Sequence, residues 1–461
     1  MSDERERALS NAFALGLDYL RALPDRHVGA LADADAVRQH LGTTLPDGPE
    51  DAASVVAALA EAVDPGLVAT AGPRYYGFVI GGALPAAVAA DVLTAAWGQN
   101  AGLHALSPAA AAAEQVAGEW MLDLLGLPAD ASFGLPTGAG LGNAVGLAAG
   151  RHAVLARAGW DVERLGLYGA PEIQMVIGEE AHATLLTALQ YLGLGRERVH
   201  VIGTDDQGQM RADELQSVLS GTDGPLMVAA QAGNVNTGAF DPIGEIADQL
   251  ARSDNTWLHV DGAFGLWANV SPDLRHLVQG IERADSWSTD AHKWLNAGYD
   301  CGFVAVRDPE AHRMAMATTA AYLLRSEQRE SWEYVLDSSR RARGFALYAA
   351  LRSLGRNGVQ ELVERCCRLA RRMAEQLAAE GVEVLNEVVL NQVLVRFGND
   401  QQTDAVIARV QAGGTAWMGG TTWQGKRAMR ISVSNWSTTE ADADASVQAV
   451  LDAYRNRSAT E

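Results

Sequence analysis

Short β-rich runs separated by helix-length intervals fill the middle of this chain, and they restrict its architecture more than any other feature. "IQMVIG", "RVHVIG", "PLMVAAQAG", "TWLHVDG" and "CGFVAVRD" follow one another between Ile173 and Asp308. Strands spaced in this way join through crossover helices, which predicts an α/β fold with a mostly parallel sheet covered on both faces. Ligands of such sheets collect beyond the carboxyl ends of the strands. Upstream, "NAFALGLDYLRALP" and "EDAASVVAALAEAVDPG" have helical apolar spacing broken by Pro and Asp, so residues 1–70 read as a helical segment. The character changes at "GPRYYGFVIGG", which opens a large domain over 71–340. Beyond "SRRARGFALYAALRSLG", the runs "VEVLNEVVLNQVLVRFG" and "RAMRISVSN" predict a small α+β domain over 341–461.

Composition narrows the partners. Lys and Arg number 36 against 57 Asp and Glu, a formal net charge of -21. Such a surface repels phosphate backbones and anionic lipid, so neither nucleic acid nor membrane is expected as a partner. A small anionic ligand stays possible, because a local site can oppose the global field. Cys301, Cys366 and Cys367 form neither a disulfide framework nor a CxxC pattern, and no metal site is expected. The start "MSDERERALSNAF" lacks an apolar signal core, and no run reads as a membrane span; the expected compartment is cytoplasmic.

Four places carry chemistry. The apolar strand "TWLHVDGAFG" ends on Asp261, and a carboxylate there needs a cation or several donors. Taken alone, it is more often a helix cap or a structural ion-pair partner. Lys293, 32 residues on, follows another strand-like run, "ADSWST", and so reaches the same sheet edge. The small residues Thr137, Gly138, Ala139 and Gly140 precede a helix, whose first N–H groups and positive end make an anion seat. The seat is not a GxxxxGK[ST] loop. His182 begins a helix after "IQMVIG", where a lone histidine is usually a cap or a core residue. Together the four describe a holder for a flat, phosphorylated aromatic aldehyde.

With these residues in order, the chain resembles the pyridoxal-phosphate-dependent group II decarboxylases. The resemblance runs from "LDYLRALPDRHV" through "PRYYGFVIGG", "LSPAAAAAEQVAGEWMLDLLGLP", "HVDGAFG" and "DAHKWLN" to "MRISVSNWSTTEAD". It implies pyridoxal 5'-phosphate as cofactor, an L-amino acid as substrate and the large fold of the aspartate-aminotransferase type. It also implies a homodimer with active sites at the interface. Lys293 would be the Schiff-base lysine, Asp261 the partner of the pyridinium, Ala263 the small residue beneath the ring and His182 the stacking histidine. Gly138, Ala139 and Gly140 match the phosphate loop, with His292 beside the phosphate. The implied reaction is decarboxylation to the amine.

The pattern departs in places. "TDAHK" has Asp290 where animal aromatic decarboxylases have Asn, awkward beside a phosphate unless turned away or hydrogen-bonded. Gly140 replaces a hydroxyl residue of the loop. In "AAYLLRSEQRESWEYVLDSS" the expected acid position falls on Ser331, with Tyr334 three residues off as the candidate proton donor. Changes in that loop convert family members to aldehyde synthases, so that reaction, a C–C lyase or other carbanion chemistry stands as the alternative, with a silent scaffold behind them. "GQNAGLHALSP" puts Gly102 and His104 where larger aromatics are usual, which suggests a wetter pocket; Asn100 belongs to the same stretch. Tyr75, Tyr76, Phe78 and Trp97 leave an aromatic wall available. Arg430 in "AMRISVSN" matches an arginine that binds a substrate carboxylate, with a structural ion pair as the equal alternative. Substrate contacts are thus expected from Tyr76, Asn100, His104 and Arg430.

Overall fold

Seven strands form one sheet: β1 (Ser132–Gly134), β2 (Gln174–Gly178), β3 (Val199–Ile202), β4 (Leu226–Gln231), β5 (Thr256–Asp261), β6 (Ser286–Asp290) and β7 (Gly302–Val306). Their order is β1-β7-β6-β5-β4-β2-β3. The strands from β3 across to β6 run parallel, while β7 is antiparallel to both β6 and β1. This computed structural model describes residues 2–221, 224–317 and 328–456. The part of the expected proton-donor loop over 318–327 lies outside the described residues; Ser331 and Tyr334 are within them.

β4 is buried along its whole length, as its apolar run over 226–230 requires. β6 is buried throughout as well, although it reads Ser-Trp-Ser-Thr-Asp. Those polar groups therefore need partners inside the protein. The helix Ala139–Arg157 supplies some of them because it lies very close to the sheet. Gly142, Gly146 and Gly150 fall on one face, four residues apart. A Cβ at these positions would come within 3.0 Å of Ser288, 2.8 Å of the His259 ring and 2.7 Å of Met227 and Trp257. This glycine stripe lets the helix rest on the strands and aims its N-terminus at the end of β6.

The second layer contains the helix Gly344–Ala379, two helical segments meeting at Gly355 with φ +61°. A smaller antiparallel sheet follows: β8 (Glu383–Val384), β9 (Gln392–Arg396), β10 (Gly419–Trp423) and β11 (Lys426–Ser432), in the order β10-β11-β9-β8. It packs with the helices Asp400–Gly413 and Glu440–Arg455. Two strands had no signal in the sequence. β1 is three residues on a sheet edge, and β10 reads Gly-Gly-Thr-Thr-Trp, whose pairing comes from β11 rather than from its own propensity.

At the N-terminus the helices Ser2–Ala22 and Ala52–Val63 pack on each other, yet they leave Leu9, Phe13, Leu17, Val55 and Leu59 exposed. Among the described residues no helix is long and apolar enough to cross a membrane.

Candidate active site

Adjacent parallel strands bring polar residues level at their carboxyl ends. Gln231 of β4 is in register with Asp261 of β5, and Asp261 with Ser288 of β6. The Asp261 carboxylate is buried and accepts two hydrogen bonds: Oδ1 from the Ala263 N–H at 3.2 Å, and Oδ2 from Asn143 Nδ2 at 2.9 Å. Asn143 is itself oriented from behind. Its Oδ1 accepts from His259 Nε2 at 3.0 Å and from the Ser288 hydroxyl. Burial lowers the His259 pKa to about 3, so the ring is neutral and its single proton sits on Nε2. His259 Nδ1 then accepts from Ser286 Oγ at 2.8 Å, and that hydroxyl accepts from Trp257 Nε1 at 2.9 Å. Every dipole in this chain points the same way, ending on Asp261.

Lys293 follows β6 in a turn where Asn296 takes φ +56°. Asn296 locks that turn: Nδ2 donates to the Trp294 carbonyl at 2.7 Å and the Ser434 carbonyl at 3.0 Å, and Oδ1 accepts from the N–H groups of Gly82 and Trp436. Ser434 Oγ in turn donates to the Ile80 carbonyl at 2.9 Å. The separated stretches "VIGG", "HKWLN" and "SVSNW" are thus one knot. At Gly81 a Cβ would lie 1.8 Å from the Lys293 carbonyl oxygen, which is why glycine stands there.

One pocket is lined by Ala139, Gly140, His182, Asp261, Ala263 and Lys293, with Asp290, Thr184, Gln231, Gly233, Val235 and Phe264 completing its wall. Asp290, flagged by the sequence as awkward, is held on three sides: Ala139 N–H at 2.6 Å, Lys293 Nζ at 3.0 Å and His292 Nε2 at 3.5 Å. His182 is both cap and pocket residue. Its Nδ1 accepts from the Thr184 N–H at 3.3 Å and lies 2.8 Å from Thr184 Oγ1, leaving Nε2 as the protonated nitrogen. Burial holds the His182 and His292 imidazoles below the ordinary histidine range, against the pull of the neighbouring carboxylates.

Other expected site residues lie elsewhere in this chain. Tyr76, expected at the substrate, is a core residue: fully buried, its hydroxyl 3.1 Å from Ser446 Oγ in the C-terminal helix. Burial raises its pKa, so it stays a neutral phenol. Asn100 and His104 pack beside the segment 330–341, Asn100 Oδ1 accepting from Arg340 N at 3.2 Å and Glu330 Oε2 accepting from His104 N at 2.7 Å. Tyr334 sits against His312, ring centroids 5.1 Å apart, with the Arg329 guanidinium 4.4 Å from its ring. None of these three lines the Lys293 pocket. Arg430 is closer: its Nη1 donates at 3.2 Å to the carbonyl of Val235, a pocket residue. Gly102 is small for a packing reason, since a Cβ there would meet the Ser338 carbonyl at 2.2 Å.

Asn143, Gln231, Thr184 and Phe264 are site residues that the sequence reading missed. Only Asn143 carried a signal, a lone carboxamide in the small-residue helix "GLGNAVGLAAGR".

A lysine amine and a doubly hydrogen-bonded carboxylate, with a neutral imidazole and a helix N-terminus, share one pocket at the strand ends of an α/β sheet. Residues 35–397 match the pyridoxal-dependent decarboxylase conserved domain. The chain belongs to that decarboxylase family, whose cofactor is pyridoxal phosphate. It is 30% identical over 334 residues to acidic amino acid decarboxylase GADL1 of Xenopus tropicalis, a match spanning 69% of this chain and 64% of that relative, less than two thirds of its length. The solved structure of Oryza sativa TDC with PLP and tryptamine superposes with a TM-score of 0.91 at 23% identity, over 99% of this chain and 98% of the other. That of Rhodiola rosea 4-hydroxyphenylacetaldehyde synthase gives 0.85 at 22% identity, over 98% of each chain. The residues present suit the cofactor: the amine and the carboxylate line one pocket, and the small residues at 138–140 add no bulk of their own at the helix start, where Asp290 takes the Ala139 N–H.

Proposed function

We propose that this chain decarboxylates an L-amino acid to the corresponding amine, with Lys293 as the residue that carries the cofactor. The observation behind this reading is the convergence of Lys293, Asp261 and His182 on one pocket. Bound pyridoxal phosphate supplies an electron sink for the pair released when the Cα–carboxylate bond breaks. Asp261, kept as an acceptor by the Asn143 and Ala263 donors, stabilises a positive charge on the ring nitrogen; each pKa unit it adds there is worth about 1.4 kcal/mol. His182, uncharged and fixed by Thr184, would offer a flat face to the ring, and Ala263 would leave room beneath it. Gly138, Ala139 and Gly140, with His292, make the phosphate end. Arg430 is assigned to a substrate carboxylate, from its bond to Val235 beside the pocket.

Two copies form the working unit in this reading, each completing the other's site. Asn100, His104 and Tyr334 do not line their own Lys293 pocket and are assigned to that of the second copy. The exposed apolar residues Leu9, Phe13, Leu17, Leu93 and Trp97 support such a contact, since their burial favours association. The division into residues 1–70, 71–340 and 341–461 goes with this reading, the first segment serving as an arm to the partner.

Aldehyde synthesis is the second reading, favoured by the Tyr334 ring being engaged by His312 and Arg329. Purified protein loaded with cofactor and offered a panel of amino acids separates the two. Amine with CO2 supports decarboxylation, whereas ammonia with hydrogen peroxide moves the assignment to aldehyde synthesis. The Lys293→Ala variant should lose the borohydride-reducible yellow adduct; its persistence would remove Lys293 from the role.

A further inference from the structure

Asp290 sits at the helix start that the cofactor reading assigns to the phosphate. Its Oδ1 takes the Ala139 N–H at 2.6 Å, the first helical residue of Ala139–Arg157, and faces His292 Nε2 at 3.5 Å. The His292 tautomer is set from the other side, because the Cys301 N–H donates to Nδ1 at 3.3 Å and leaves the proton on Nε2. Asp290 Oδ2 meets Lys293 Nζ at 3.0 Å. The carboxylate is almost wholly buried, and a Cβ on Gly138 would lie 3.3 Å from Oδ1, a tight contact that glycine avoids. A charged acceptor buried between a backbone N–H and an ammonium, with His292 Nε2 facing it, is strongly held.

We infer that Asp290 is an internal anion that closes the cofactor seat on itself and competes with the phosphate for the Ala139 and His292 donors, setting how tightly the protein retains pyridoxal phosphate. The inference rests on the cofactor reading of this pocket. Phosphate binding requires the carboxylate to yield those donors, and a carboxylate remaining nearby repels a dianion in a site of low dielectric. An amide at 290 keeps a similar shape without the charge, so it yields the seat at less cost.

Wild-type protein and Asp290→Asn, both stripped of cofactor, are titrated with pyridoxal 5'-phosphate and separately with pyridoxal, following absorbance of the lysine adduct. The variant should bind pyridoxal phosphate about tenfold more tightly and release it more slowly into a scavenger, while its affinity for phosphate-free pyridoxal stays within about twofold of wild type. Equal or weaker binding of pyridoxal phosphate by the variant overturns the inference, and so does an equal gain for pyridoxal. Should Asp290→Asn not fold, Asp290→Ser is read against the same outcomes. A wild-type protein that forms no lysine adduct with either aldehyde overturns the cofactor reading itself, a result distinct from an adduct that ignores residue 290.

Discussion

Asn143 Nδ2 donates to Asp261 Oδ2 at 2.9 Å, and the amide cannot turn over, because His259 and Ser288 both present protons to its oxygen. A flipped amide would set two donors against an NH2 group and a carbonyl against a carboxylate. Asp261 therefore receives a fixed donor rather than a rotating one.

Asn143→Ala strands the His259 and Ser288 donors and removes one bond to Asp261. Buried groups left without partners cost about 1–3 kcal/mol each, so a loss of roughly 2–4 kcal/mol in unfolding free energy is expected from denaturant titration. Stability within 0.5 kcal/mol of wild type, on the order of an ordinary surface change, would show that the chain of donors has no structural weight.

Acid should destabilise the protein through two imidazoles. Burial lowers His259 and His312 to about 3, against an ordinary value of 6.5. Below the unfolded value only the unfolded chain takes up these protons, so stability is full above about pH 6.5 and declines as the pH falls toward 3. Each histidine adds a slope of about 1.4 kcal/mol per pH unit in the middle of that window. His312→Gln should flatten the fall in unfolding free energy between pH 6 and 4.5; an unaltered slope would mean the ring is already protonated in the fold.

The buried pair Glu114–Arg340 should be sensitive to loss of one partner. Both Arg340 Nη2 contacts, at 2.8 and 2.7 Å, are out of solvent, and Arg329 approaches the same carboxylate at 3.6 Å. Glu114→Gln leaves two guanidinium groups facing a neutral amide. A cost of about 3–5 kcal/mol is expected in urea unfolding, far above the value of an exposed pair. A cost below about 1 kcal/mol would mean water reaches the site.

Gly81→Ala places a methyl where the Lys293 carbonyl stands, 1.8 Å from its oxygen. Backbone has to move, and Lys293 moves with it. Loss of at least about tenfold in cofactor affinity is expected with circular dichroism little changed, since overpacking of one contact costs about 1–3 kcal/mol. Wild-type cofactor affinity in this variant would show that the "VIGG" stretch does not position the lysine.

Much of this molecule could be read before folding. β2, β4, β5 and β7 stand where largely apolar runs of strand length lie, because a strand buried on both faces needs apolar side chains or satisfied polar ones, as in β6. Asp261, Lys293 and His182 were legible for the complementary reason, as charged or titratable groups at the ends of such runs, where burial without partners would be costly. The partners themselves were not legible. Asn143 meets Asp261 across 118 residues, Gly81 meets Lys293 across more than 200, and Asp290 finds its Ala139 donor 151 residues back. Local periodicity reports which face a residue turns to the core, whereas the identity of the atom it meets there depends on how separate elements pack. Sequence thus determined which groups reach the sheet edge, and only the tertiary structure decided that Asp290 takes the N–H at the start of the helix Ala139–Arg157 and that Tyr76 lies in the core.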